Sequence, residues 1–254
     1  MPRGLQSEAM KAVILAAGSA TRLRPLTEHT PKCLLEVAGQ PILRRLLDHL
    51  AALEVGEVTI VLGYLGSQIR EAVAAWQLAI PVRFIDNADY ASTNNGHSTL
   101  LARDAVGGSE FTLLDGDIVC EREVISSVLR HAHADCLAVR PSTTLGAEEM
   151  KIVLDERGRV RRCAKTVDPK TAIGESIGIN RFSAEASARF FATLDERVRK
   201  RGLVNEWNDS AVEQMIDEAG YELWPVDVGR WYCAEIDTPG DLADVDRAIR
   251  ALTR

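Results

Sequence analysis

Two acidic pairs and a short run of cations are the residues of this chain best suited to do chemistry. Asp115 and Asp117 flank Gly116 after the apolar run Phe111-Thr112-Leu113-Leu114, and Glu235 and Asp237 flank Ile236 just before Thr238-Pro239. Carboxylates at the carboxyl end of a core strand are the oxygen ligands that magnesium shares with substrate phosphates. Asp-Gly-Asp alone also makes an ordinary turn, and the second acidic cluster is what favours a metal. Arg22 and Lys32 follow another apolar run, Ala12-Val13-Ile14-Leu15-Ala16, after which the chain breaks into Ala17-Gly18-Ser19-Ala20-Thr21. Small residues after a buried strand let backbone amides approach a polyphosphate, and nearby cations offset its charge.

Neighbouring phosphate motifs fit less well. A dinucleotide turn needs three glycines, and this loop has Gly18 with Ala20 and Leu23 elsewhere. A Walker loop needs Gly-Lys-Ser/Thr, which is absent. A loop cation is by default a solvated surface charge, and Lys32 is favoured over Arg22 because Pro31 fixes the backbone ahead of it.

Further candidates lie along the chain. Asn94-Asn95-Gly96-His97-Ser98 opens a helical pattern, where amide side chains and free N–H groups can read a polar base edge. A plain helix cap accounts for one of the two asparagines. Glu175 falls in a half-buried strand, where a carboxylate requires a partner. Trp207, Trp231 and Tyr232 lie near Glu206, Asp209 and Glu235, and aromatic faces with carboxylates can cage an ammonium group, although such aromatics are more often core. Trp76 and Trp224 read as core, and His97, His131 and His133 as local or surface residues.

The elements that position these groups follow a β-α-β rhythm. Strands are predicted at about 11–16, 57–62, 81–86, 110–114 and 136–140, with Ile42, Leu43, Leu46, Leu47, Leu50 and Leu53, then Ile69, Val73 and Trp76, at helical spacing between them. A hairpin at 151–154 and 160 onward, a strand at 175–182, helices at 184–200 and 208–219, and strands near 221–226 and 231–236 complete the series. Ser183 is the expected N-cap of one helix, and Thr238 with Pro239 opens the last. The fold class expected is α/β: a single Rossmann-like domain over 11–254 with a mixed, mainly parallel sheet flanked by helices and a small acceptor-side β region. Residues 1–10 read as a flexible extension without function.

At 254 residues and 46% apolar composition the chain can bury a sizeable core. A net charge of −7 gives no general attraction to nucleic acid. Five cysteines without a Cys-x-x-Cys pair read as reduced thiols, and no apolar run reaches signal or membrane-span length. A cytoplasmic protein, monomer or homodimer, is expected, with no membrane partner.

The ordered string Ala16-Ala17-Gly18, Thr21-Arg22-Leu23, Pro25 and Pro31-Lys32 resembles the signature of the nucleotidyltransferase superfamily. The likeness runs from Lys11 to about Leu252. Asn94-Asn95-x-x-Ser98, Gly174-Glu175-Ser176-Ile177-Gly178, Asn205-Glu206-Trp207 and Trp231-Tyr232-Cys233-Ala234-Glu235-Ile236-Asp237 are most similar to the phosphocholine and aminoethylphosphonate cytidylyltransferase group. Ala20 stands where a glycine is frequent, and Gly96-His97 where apolar or aromatic residues are common.

The resemblance implies a magnesium-dependent transfer of CMP from CTP to a small phosphorylated or phosphonate acceptor. It implies Lys32, Arg22, Asp117 and Asp237 as catalytic residues, the last two as the metal pair. Leu15, Ala16, Ala17, Gly18, Ser19, Ala20, Thr21, Asn94, Asn95, Ser98 and Asp115 would face the nucleotide. Lys165, Glu175, Glu206, Trp207, Trp231, Tyr232 and Glu235 would face the acceptor. The alternatives are a sugar-1-phosphate or inositol-phosphate nucleotidyltransferase and, in another class, a non-catalytic nucleotide-binding regulatory subunit.

Overall fold

The computed structural model describes residues 10–252, so the extension expected at the start of the chain, apart from Met10, lies outside the described residues. β1 (Lys11–Ala16) leads into a long loop holding two 3-10 turns, Thr21–Leu23 and Lys32–Leu34. The short ladder of β2 (Glu36–Val37) and β3 (Gln40–Pro41) then delivers the chain to α1 (Ile42–Ala52). Leu43, Leu46, Leu47 and Leu50 of α1 are fully buried, as their spacing requires. β4 (Glu57–Leu62), α2 (Gly66–Ala75) and β5 (Val82–Asp86) continue the rhythm, and α3 (Asn95–Leu101) with α4 (Arg103–Val106) returns to β6 (Phe111–Asp115).

Next come β7 (Ile118–Cys120), α5 (Arg122–Leu129) and β8 (Cys136–Pro141). The predicted hairpin is β9 (Lys151–Leu154) and β10 (Val160–Ala164), and β11 (Gly174–Phe182) follows it. α6 (Ala184–Asp195) starts at Ser183, whose Oγ accepts from the Ala186 N–H. The helix predicted over 184–200 is in fact α6 followed by a wider π turn at Glu196–Lys200, which carries Arg197 to Glu206 and Gln214. α7 (Asp209–Ala219), β12 (Trp224–Asp227), β13 (Cys233–Glu235) and α8 (Pro239–Leu252) end the described chain.

β6, β1, β4 and β5 form a parallel group in that order, and β11 extends it antiparallel along β6. β11 also pairs with β8 and β9, β10 adds to β9, and β12 runs parallel to β8. The α/β sheet is therefore mixed, with its central parallel strands β1, β4 and β6 buried on both faces. Alternation along β1 sends Ala12 and Ile14 into one core, and Val13 and Leu15 into the other. α1, α2 and α5 supply the first core, and α3, α6 and α7 the second.

Sequence periodicity missed β7, which is too short to show a pattern and is held by β13 more than a hundred residues later. Among the described residues no helix is long and apolar enough to cross a membrane.

Candidate active site

The carboxyl ends of β1 and β6 lie side by side, and the Gly116 N–H donates to the Leu15 carbonyl at 2.9 Å. Asp115 and Asp117 therefore leave the sheet next to the small-residue loop. β13 pairs with β7, Glu235 opposite Ile118, and brings the second acidic segment alongside the first. A capping box at the start of α8 fixes that segment. The Asp241 carboxylate accepts from the N–H groups of Asp237 and Thr238, at 3.1 and 2.7 Å, and the Thr238 hydroxyl accepts from the Asp241 N–H.

Lys32 closes the arrangement from the loop. Its Nζ donates to Asp117 Oδ2 at 2.6 Å and to Asp237 Oδ1 at 2.9 Å, and Arg22 Nη2 lies 3.0 Å from the same Asp237 oxygen. Burial works against the Lys32 charge, yet the two aspartates outweigh it and raise its pKa. Asp237 is pulled down in turn, against its own burial, by Lys32 and Arg22. Asp115 is held well above the usual carboxylate range by burial and by Asp117 and Glu235, and Glu235 is pushed up to about 8 by burial and by Asp117 and Asp237.

These groups open into a cleft of about 590 Å³ and an adjoining pocket of about 340 Å³. The cleft wall takes Leu15, Ala17, Gly18, Arg22, Asn94, Asn95, Ser98, Asp115, Asp117, Lys165, Glu175, Trp207, Tyr232, Glu235 and Asp237 from the sequence candidates. Ala16, Ala20 and Lys32 line the smaller pocket. Ala20 adopts a left-handed backbone, φ 47°, the conformation that a glycine would take without strain.

Four candidates sit elsewhere. Ser19 and Thr21 stay on the loop outside both walls. Glu206 is held by Arg197, at 2.5 and 2.9 Å, and its carbonyl accepts from the Gly96 N–H. It braces α3 rather than facing the cleft. Trp231 lies under the Arg230 guanidinium, 3.9 Å from its ring centre, in a separate groove with Arg130, Pro141 and Asp227.

The Asn pair divides its work. The Asn94 side chain caps α3 on the Asn95 N–H, and Asn95 Oδ1 accepts from the Asn208 N–H at 2.9 Å, tying α3 to the segment that carries Trp207 and Asp209. Gly96 permits that approach, because a Cβ there would stand 2.8 Å from the Glu206 carbonyl.

The far wall contains groups that sequence reasoning did not select. Arg140 grips Glu175 at 2.5 and 2.9 Å and donates to the Cys233 carbonyl, so it is the partner that a carboxylate in this strand required. Its place at the end of a predicted strand was the available signal. Asp209, noted only as a neighbour of Trp207, is pushed up to about 6 by burial, with the Cys163 thiol donating to it at 3.5 Å. Lys165 lies 4.9 Å above the Trp207 ring and 3.2 Å from Glu148, which also approaches Arg22 at 3.9 Å. β11 bends at Gly178, φ +66°, where a Cβ would stand 2.3 Å from Asp115 Oδ2.

A divalent cation fits the Asp117–Asp237 pair. Asp117 Oδ1 is buried and has no hydrogen-bond partner among the described residues, a lone acceptor of the kind a hard cation takes up. Among the described residues no three His, Cys, Asp or Glu side chains gather around one point. Substrate oxygens and water would therefore complete the shell, as is common for magnesium.

A family model described as the MobA-like NTP transferase domain matches residues 12–178. The chain is 32% identical over 244 residues to the CMP-5'-(3-aminopropyl)phosphonate synthase of Streptomyces rubellomurinus, covering 93% of this chain and 38% of that protein. It thus spans well under half the length of that relative. It is 26% identical over 252 residues to the 2-aminoethylphosphonate cytidylyltransferase of Lancefieldella rimae, covering 99% of this chain and 98% of the other. The solved CTP:phosphocholine cytidylyltransferase of Streptococcus pneumoniae matches the fold with a TM-score of 0.75 at 23% identity, over 95% of this chain and 99% of that one. The inositol-1-phosphate CTP transferase of T. maritima matches with the same score at 18% identity, over 95% and 96% of the two chains. The family match covers more than half of the chain and includes the strand ends that carry Asp115 and Asp117 and the loop that carries Lys32, so this chain belongs to the MobA-like NTP transferase family and is a nucleotidyltransferase.

Proposed function

We propose that this protein transfers CMP from CTP to a phosphonate or phosphate oxygen of a small amino-alcohol-type acceptor, releasing pyrophosphate. The observation that carries this reading is that one cleft presents both cations and carboxyl groups. Arg22 and Lys165 line the cleft and Lys32 the pocket that adjoins it, while Asp209 and Glu235 are carboxyl groups on the same cleft wall. A zwitterion, anionic at one end and ammonium at the other, answers both kinds of group, and its ammonium favours the ionised forms of Asp209 and Glu235 against the protonation that burial promotes. Relatives named for aminoalkylphosphonates agree with this choice.

The acceptor oxygen is anionic at neutral pH and attacks the α-phosphorus in line. A new P–O bond forms as the bond to pyrophosphate breaks, and no protein base is needed. Lys32 and Arg22 stabilise the charge that gathers on the α-phosphate and the leaving pyrophosphate. Asn94 and Ser98 border the base, and Lys165 receives the acceptor's anionic group. Asp117 and Asp237 would hold magnesium, which when bound supplies charge neutralisation and orientation. The five cysteines are unpaired and buried, which suits a reducing cytoplasm.

The test is pyrophosphate release with magnesium across CTP, UTP, GTP, dTTP and ATP, each against phosphocholine, phosphoethanolamine, aminoethylphosphonate, inositol-1-phosphate and glucose-1-phosphate. Turnover confined to CTP with an amino-bearing acceptor is expected. Turnover with a sugar phosphate, or none at all, rejects the reading.

A further inference from the structure

Lys151, the first residue of β9, is 1% exposed, and among the described residues it forms no ion pair. Its Nζ instead donates to two backbone carbonyls, Lys165 at 2.7 Å and Glu149 at 3.2 Å. An ammonium buried on carbonyl oxygens alone is costly, and a methionine would fill similar volume without that cost. What the ammonium adds is direction, since it holds two separate carbonyls to a single point.

Both carbonyls belong to segments that end in the cleft. Glu149, Met150 and Lys165 all line it, and Glu148 reaches both Lys165 and Arg22. In the sheet, Lys151 stands between Ala164 on β10 and Glu175 on β11. Glu175 continues the line through Arg140 to the Cys233 carbonyl on β13. One buried cation thus stands at the crossing of three segments that form the Lys165 side of the cleft.

We propose that Lys151 is a positioning residue for acceptor binding: by tethering the Glu149 and Lys165 carbonyls it sets where the Lys165 ammonium stands. It touches neither substrate and acts through Lys165, and this rests on the reading of Lys165 as the group that meets the acceptor's anion. A loop lysine whose backbone drifts by about 1 Å loses its geometry at a cost of about 10- to 100-fold in a step that depends on it.

The experiment is a double-mutant cycle on steady-state kinetics with magnesium, CTP and aminoethylphosphonate or phosphoethanolamine, using Lys151→Met, Lys165→Ala and the pair. Lys151→Met is expected to raise the acceptor KM about 10-fold, with the CTP KM unchanged within about twofold. The double variant is expected to be no worse than Lys165→Ala alone. Lys151→Gln keeps two N–H donors and should recover part of the loss; it also carries the comparison if Lys151→Met fails to fold. Equal losses toward CTP and acceptor, or effects that multiply in the double variant, overturn the proposal. If Lys165→Ala alone leaves the acceptor KM unchanged, the assignment of Lys165 fails, and the positioning role falls with it.

Discussion

On the side of the cleft assigned to the nucleotide, Leu15, Ala17, Gly18 and Asp115 stand at the ends of two parallel strands whose side chains are buried on both faces. On the side proposed for the acceptor, Arg140, Lys165, Glu175 and Asp209 come from or lie beside four different elements, and ion pairs and single hydrogen bonds hold them. The first kind of support is dense packing, which permits little displacement. The second can be retuned by one side chain without reaching the core. A scaffold made this way can keep one phosphate-transfer apparatus while its acceptor pocket changes.

The largest expected effect lies where the two sides meet. Lys32→Ala or Asp117→Ala should lower kcat by about 100- to 1000-fold while leaving the circular dichroism spectrum and melting cooperativity intact. Near-normal turnover in either variant would remove both from the catalytic machinery. Gly178→Ala attacks the joint between β11 and Asp115, where the new Cβ would collide with a carboxylate oxygen at a left-handed φ. It should cost about 2–4 kcal/mol by urea unfolding. Parental stability would mean that β11 does not press on Asp115.

Asp209 sharpens the contrast from the acceptor side through pH. Its pKa rises from 3.8 to about 6 on folding, so between those values the folded chain holds a proton that the unfolded chain has released. Its contribution to stability is therefore present at low pH and is lost as pH rises to about 6. Asp209→Asn should flatten that part of the stability profile and make the ligand-free protein more stable above pH 6, by about 1–3 kcal/mol. An unchanged profile would show that the carboxylate is not desolvated. The smallest effect belongs to the small-residue loop after β1: Ala20→Gly should relieve left-handed strain and raise stability by about 0.5–1 kcal/mol, read by thermal melting. A loss of stability instead would place Ala20 outside that conformation.

Residues close in sequence were read well. β1, β4, β6, α1 and the Ser183 and Thr238 caps follow from apolar periodicity and from side chains that bond within four residues. Lys32, Asp117 and Asp237 were legible as candidates because each sits in a motif or at a strand end. Glu206 and Trp231 were read as acceptor groups from their neighbours in sequence, and both turned to other partners, Arg197 and Arg230. Their residue types suit a cage and a brace equally, and proximity along the chain does not say which way a side chain faces. Arg140 and Lys151 passed as strand residues, since nothing within a few positions shows what they hold.

Residue order therefore sufficed for the β-α-β rhythm, the small-residue turn after β1 and the identity of the charged groups, because those depend on interactions spanning a turn or two. Which charges meet was left to folding. Lys32 bonds aspartates 85 and 205 positions away, and Arg140 reaches a carbonyl 93 positions away. Such pairs exist only once the sheet has set its strand order and register, and it is their low-dielectric proximity that shifts the pKa values and turns separate carboxylates into one site.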